Sequence, residues 1–84
     1  MSEVLEKVHK FLTDHGVGLD SNIERNDSEV RVSIRDGMDD EPSQTAIDEA
    51  VRIRTALRKE FKDTIKMSIE PVDEWADLTI EENI

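Results

Sequence analysis

The spacing of apolar residues changes period along this chain and then repeats the change in the same order. Val4, Leu5, Val8, Phe11 and Leu12 recur at helical spacing, after which Val30, Val32 and Ile34 alternate with polar neighbours. Ala46, Ile47, Ala50, Ile53, Leu57 and Phe61 restore the helical period. Alternation then returns in Ile65, Met67 and Ile69 and again in Ala76, Leu78 and Ile80. A helical period cannot be laid down as a strand, or the reverse, without turning apolar side chains into water. The pattern therefore predicts the order αββαββ. This is an α+β domain in which a four-stranded, mainly antiparallel sheet carries both helices on one face.

Local signals place the elements. Glu3 and Glu6 occupy the first turn of helix 1, where the dipole favours anions, with Ser2 as its N-cap and Gly16 as its stop. Helix 1 is thus expected over about Glu3 to His15, with His15 inside its apolar stripe. A weak segment from Leu19 to Ile23, the polar turn Arg25-Asn26-Asp27-Ser28 and the strand Glu29–Arg35 form a first hairpin. An acidic loop spans 36–43. Ser43 or Thr45 then caps helix 2, with Asp48 and Glu49 in its first turn and Lys59 and Lys62 near its end. The second hairpin turns at Pro71-Val72-Asp73-Glu74, and Glu81 to Ile84 are expected to fray.

The two halves, about 2–37 and 43–82, echo one another in one domain spanning 1–84. Displaced by 46 residues, IERNDSEVRVSIRD lies over IEPVDEWADLTIEE, with identities at Ile23/Ile69, Glu24/Glu70, Asp27/Asp73 and Ile34/Ile80. Strand parity sends Asp20, Asn22, Glu24, Glu29, Arg31, Ser33 and Arg35 to an outer face. Lys66, Ser68, Glu70, Trp75, Asp77, Thr79 and Glu81 join them there.

Composition sets the class. The chain has 84 residues, no cysteine, one Trp, two Phe and no Tyr, so its core must be mainly aliphatic. It can build no zinc site on cysteine and has no apolar run near the ~20 residues a spanning helix needs, and since MSEVLEKVHKFL lacks a basic-then-apolar pattern it is not expected to act as a secretory signal. A cytoplasmic location is the expectation. Twenty-one Asp and Glu against eleven Lys and Arg give a net charge of −10. The bases concentrate in Arg52–Lys66, where six face two acids, while residues 67–84 carry six acids and no base. Such a field opposes nucleic acid and anionic membranes and favours basic protein surfaces.

No catalytic pattern emerges. His9 and His15, six apart, cannot share a helical face, and Asp36-Gly37-Met38-Asp39-Asp40 lacks the oxygen spacing of a calcium loop. No Gly-rich phosphate loop or nucleophile elbow occurs. The expectation is a non-enzyme without metal or cofactor. It binds proteins through Asp36, Asp39, Asp40 and Glu41 in the loop and Glu70, Asp73, Glu74, Asp77 and Glu81 in the second hairpin, with Trp75 as anchor. The partner would be a basic surface, such as the nucleic-acid site of a target that this protein inhibits or regulates. A structural module that self-associates through its sheet is the alternative. A third reading gives an anion or RNA to Arg52, Arg54, Arg58, Lys59 and Lys62 on helix 2. The chain would be a monomer or homodimer, with no direct nucleic-acid or membrane binding.

Overall fold

A computed structural model describes residues 3–17, 20–35, 44–72 and 75–83, with the backbone alone at 20 and 72. Helix α1 runs Glu3–His15, and strands β1 (Asp20–Arg25) and β2 (Glu29–Arg35) follow. Helix α2 (Gln44–Phe61) leads through a 3₁₀ turn, Lys62–Thr64, into β3 (Ile65–Val72) and β4 (Trp75–Glu82). The strands form one antiparallel sheet in the order β1-β2-β4-β3. The second strands of the two hairpins therefore meet at its centre.

Alternation decides which side of the sheet is covered. Val30, Val32 and Ile34 on β2 lie opposite Ile80, Leu78 and Ala76 on β4, and all six are fully buried. Leu5, Val8 and Leu12 of α1 and Ala46, Ala50, Ile53 and Leu57 of α2 close over them. The buried core holds no aromatic residue. Phe11 and Phe61 pack at its edge, ring centroids 5.9 Å apart and edge to face. Removing a core side chain of this kind costs about 2–5 kcal/mol.

The register carries the repeat down to the single residue. In the first hairpin Asp20 pairs with Arg35 and Arg25 with Val30; 46 residues on, Lys66 pairs with Glu81 and Pro71 with Ala76. Val32 pairs with Leu78, its own counterpart at that displacement. The β2–β4 seam is therefore symmetric about the Val32–Leu78 pair. Pro71 falls in β3, an edge strand, where a missing N–H is tolerated. Both helices end in a left-handed residue, Gly16 (φ 83°) and Lys62 (φ 53°), again 46 apart. That conformation is easy for glycine and uncommon for lysine. The Gly16 N–H donates to the Leu12 carbonyl at 3.0 Å, capping α1.

Several expectations change. Helix α2 begins at Gln44, so Asp48 and Glu49 lie in its second turn and Thr45 lies within the helix. A dipole favours acids only in the first turn, and there the helix has none. His15 is exposed rather than in the apolar stripe, its ring stacked on Phe11 at 5.2 Å. The end of β4 does not fray before residue 83. Glu81 and Glu82 belong to the strand, the Asn83 N–H donates to the Thr64 carbonyl, and Asn83 Nδ2 donates to the Asp63 carbonyl, each at 2.9 Å. The expected caps Ser2 and Ser43 and the loop 36–43 lie outside the described residues.

Candidate functional site

The helices cover one face of the sheet, and the described chain lays nothing over the other. That open face is a grid set by register. Arg35 and Trp75 are neighbours across β2 and β4; then come Ser33 with Asp77, Arg31 with Thr79, and Glu29 with Glu81. Asn22 and Glu24 flank it from β1, beside Ser33 and Arg31. Glu70, Ser68 and Lys66 flank it from β3, beside Asp77, Thr79 and Glu81. Four of the expected binding residues, Glu70, Trp75, Asp77 and Glu81, are thereby brought onto one surface. Asp36, Asp39, Asp40, Glu41, Asp73 and Glu74 lie outside the described residues.

Polar contacts on this face are short-range and uneven. The Arg31 guanidinium donates to Glu29 at 3.2 Å, an ion pair between partly exposed side chains worth at most about 1 kcal/mol. The Arg35 guanidinium carbon lies 5.3 Å from the centroid of the half-buried Trp75 ring, within cation–π range. The Ser33 hydroxyl donates to Asp77 Oδ1 at 2.9 Å across the central seam. Asn22 Nδ2 donates to Glu24 Oε1 at 3.1 Å.

Between the long arginines of β2, the short Ser33 leaves a depression of ≈ 400 Å³. Its walls are Arg31 and Arg35 along the strand, Asn22 and Glu24 on one side, and Trp75 and Asp77 on the other. A smaller one, ≈ 250 Å³, lies among Lys66, Ser68, Thr79 and Glu81. Met67, which also lines it, and Ser68, Thr79 and Glu81 sit 46 positions beyond Ser21, Asn22, Ser33 and Arg35 of the first depression, so the two lie at overlapping places in their hairpins. Only the larger has an aromatic wall. Ser33, Arg31, Arg35, Asn22 and Glu24 were not singled out from the sequence as binding residues. Strand parity already put them on this face, but their meeting with Trp75 and Asp77 depends on β2 pairing with β4.

Two like-charge pairs stand out in the grid. Glu70 faces Asp77 across β3 and β4, and Glu29 faces Glu81 across β2 and β4. Like charges directly opposite in an antiparallel pair are destabilising. Glu29 is offset by its ion pair with Arg31 and Glu81 by Lys66 across from it, so at Glu70 and Asp77 the face holds acids closer together than stability alone would favour.

The basic flank of α2 lies in the helical layer, across the sheet from this face. Its first member is engaged: Arg52 reaches Glu49 through two hydrogen bonds of 2.7 and 2.6 Å, with His15 Nε2 3.3 Å from Nη1. The hydrogen bond to Glu49 is the main reason its pKa is raised, against opposing desolvation. Asp48, four residues before Arg52, accepts instead from Gln44 Nε2 at 2.9 Å. Glu49 sits three residues before Arg52 and meets its fork at both oxygens, a bidentate geometry that favours this partner. Arg54 is half-buried, and Arg58, Lys59 and Lys62 are exposed without converging on a shared cavity among the described residues.

Among the described residues, no three His, Asp or Glu side chains come together as a metal site, and no helix is long and apolar enough to cross a membrane. Comparison with known protein families and with curated proteins finds no match to this chain.

Proposed function

We propose that this protein is a non-catalytic binding module whose open sheet face docks a basic protein surface. The observation that carries the reading is Glu70 directly opposite Asp77 in register, like charges with no base across the strands from either, on an uncovered face. A cationic partner would relieve this repulsion on docking, so its cost in the free protein becomes affinity in the complex. Half-buried Trp75 supplies an amphipathic anchor on the same surface. The net charge of −10 adds long-range attraction and speeds encounter. A target that normally holds nucleic acid fits this description, since its site must be basic, and occupation of that site would inhibit it.

Capture from lysate tests the reading when it is run in parallel on three folded baits. These are the parent, the open-face variant Glu70→Gln/Asp77→Asn/Glu81→Gln, and the helix variant Arg54→Ala/Arg58→Ala. Basic proteins retained by the parent and the helix variant, lost from the open-face variant and released by added duplex DNA, are the expected result. Retention that survives the open-face changes but disappears with the arginine pair would move the site to α2.

A further inference from the structure

The depression over Ser33 holds two arginines and two carboxylates, and their partners differ in kind. Arg31 is paired with Glu29, and Arg35 lies over Trp75. Asp77 and Glu24 receive hydrogen bonds only from neutral donors, the Ser33 hydroxyl and the Asn22 amide. Among the described residues no cation lies within ion-pair distance of either carboxylate. Glu70, opposite Asp77, adds a third negative charge at that wall. Both arginines are thus engaged, while Asp77 and Glu24 make no ion pair, although Glu24 lies across from Arg31 in register, and both carboxylates sit beside an aromatic face that already accepts a guanidinium.

We propose that this depression receives a single arginine or lysine side chain of the basic partner, held by Asp77 and Glu24 against Trp75, and that Arg35 is the internal cation it displaces from the ring. The proposal rests on the acidic-face reading and narrows it to one subsite. A half-buried carboxylate carries about four acceptor positions, and the Ser33 hydroxyl uses one at Asp77, which leaves capacity for an ammonium or a guanidinium fork. The Trp75 ring contributes cation–π attraction whichever cation occupies it. Arg35 therefore competes with the incoming side chain. Removing it should strengthen binding, the reverse of what an anion site would show.

A fluorescein-labelled peptide of alternating arginine and glycine, titrated at low salt and read by anisotropy, is the probe, with an aspartate–glycine peptide as its mirror. Asp77→Asn and Glu24→Gln should each weaken binding by about threefold to tenfold beyond the control Glu3→Gln, which removes the same charge from α1. Arg35→Gln should tighten binding by about twofold to fivefold more than Lys7→Gln, its matched control. Trp75 is the only tryptophan, so its emission should change saturably as the parent fills. Both Asn and Gln variants keep the local hydrogen-bond acceptors, and circular dichroism verifies their folding. If the parent fails to bind the arginine peptide, the acidic-face reading and the subsite fall together. If it binds but Asp77→Asn and Glu24→Gln behave like Glu3→Gln, the subsite alone is wrong. Weaker binding by Arg35→Gln, or preference for the aspartate peptide, would make the depression an anion site.

Discussion

The two hairpins share a register and differ in chemistry mainly on one face. Inward, the counterparts Ile23/Ile69, Val30/Ala76, Val32/Leu78 and Ile34/Ile80 are apolar in both halves, and only Ser21/Met67 and Arg25/Pro71, outside the buried core, differ. Outward, Arg31 stands where the second hairpin has Asp77, Arg35 where it has Glu81, and Glu29 where it has Trp75. Glu24/Glu70, the hydroxyls Ser33/Thr79 and the neutral polar pair Asn22/Ser68 keep their character. Burial explains the contrast. A polar group turned inward loses water without gaining a partner, whereas an outward exchange changes stability by about 0.5 kcal/mol or less. The covered face is thus held to one solution, and the open face is where the halves have become distinct. One depression has an aromatic wall and carboxylates that make no ion pair; in the other, Lys66 lies across from Glu81.

The strongest test of the shared frame is at its centre. Leu78→Ala should destabilise by about 2–5 kcal/mol and Val32→Ala by about 1–3 kcal/mol, each as a single urea transition reported identically by far-UV dichroism and Trp75 emission. Two separated transitions would mean the hairpins are independent units that merely touch.

The helix ends come next in size. Gly16→Ala should cost about 1–2 kcal/mol, because the added methyl meets nothing within 4 Å and the penalty is the left-handed backbone alone. Lys62→Gly at the matching position should raise stability by about 0.5 kcal/mol, as relief of that strain outweighs the extra chain entropy of glycine. Opposite signs at the two ends are the signature; a destabilised Lys62→Gly would show that the lysine side chain is needed there.

A smaller effect separates the open faces. Glu24 and Glu70 are the same residue at matching positions, but Glu24 faces Arg31 and Glu70 faces Asp77. Glu24→Gln should lower stability and Glu70→Gln raise it, each by about 0.2–1 kcal/mol and less in high salt. Chemical denaturation at two ionic strengths decides it. Smallest of all is Arg52→Gln, at about 0.5 kcal/mol, because a half-exposed ion pair on a helix adds little even with good geometry. A loss above 1 kcal/mol would give Arg52 a structural role that its exposure does not suggest.

Much of this frame is legible before folding. The ends of α1 follow from Glu3, Glu6 and Gly16, and the outward set follows from strict alternation in 29–35 and 75–81. The limits have physical causes. Asp48 and Glu49 both lie within a turn of Arg52, and only the observed side-chain geometry chooses Glu49. His15 falls near the apolar stripe on a helical wheel, yet at the last residue of α1 it lies beyond the sheet-covered turns and stacks on Phe11. The Ser33 depression is the clearest case: Ser33 and Asp77 are 44 residues apart, and nothing local brings β2 beside β4. A charge count also hides that Arg31 and Arg35 are each engaged by a neighbour, while Asp77 and Glu24 make no ion pair.

The central seam has a consequence in time. Each hairpin closes between residues close in sequence, but every β2–β4 pair from Glu29–Glu81 to Arg35–Trp75 joins residues at least 40 apart. Isolated hairpins are marginal in water, and long chain closures are slow to be rewarded. The folding barrier should therefore lie at the zipping of β2 onto β4, with the hairpins flickering beforehand. Stopped-flow chevrons would then show Val32→Ala and Leu78→Ala slowing refolding, while Gly16→Ala, at the end of α1, mainly hastens unfolding. Until that seam closes, both inner strands show bare edges to any other chain, so the interval before zipping is when this protein is most open to mispairing.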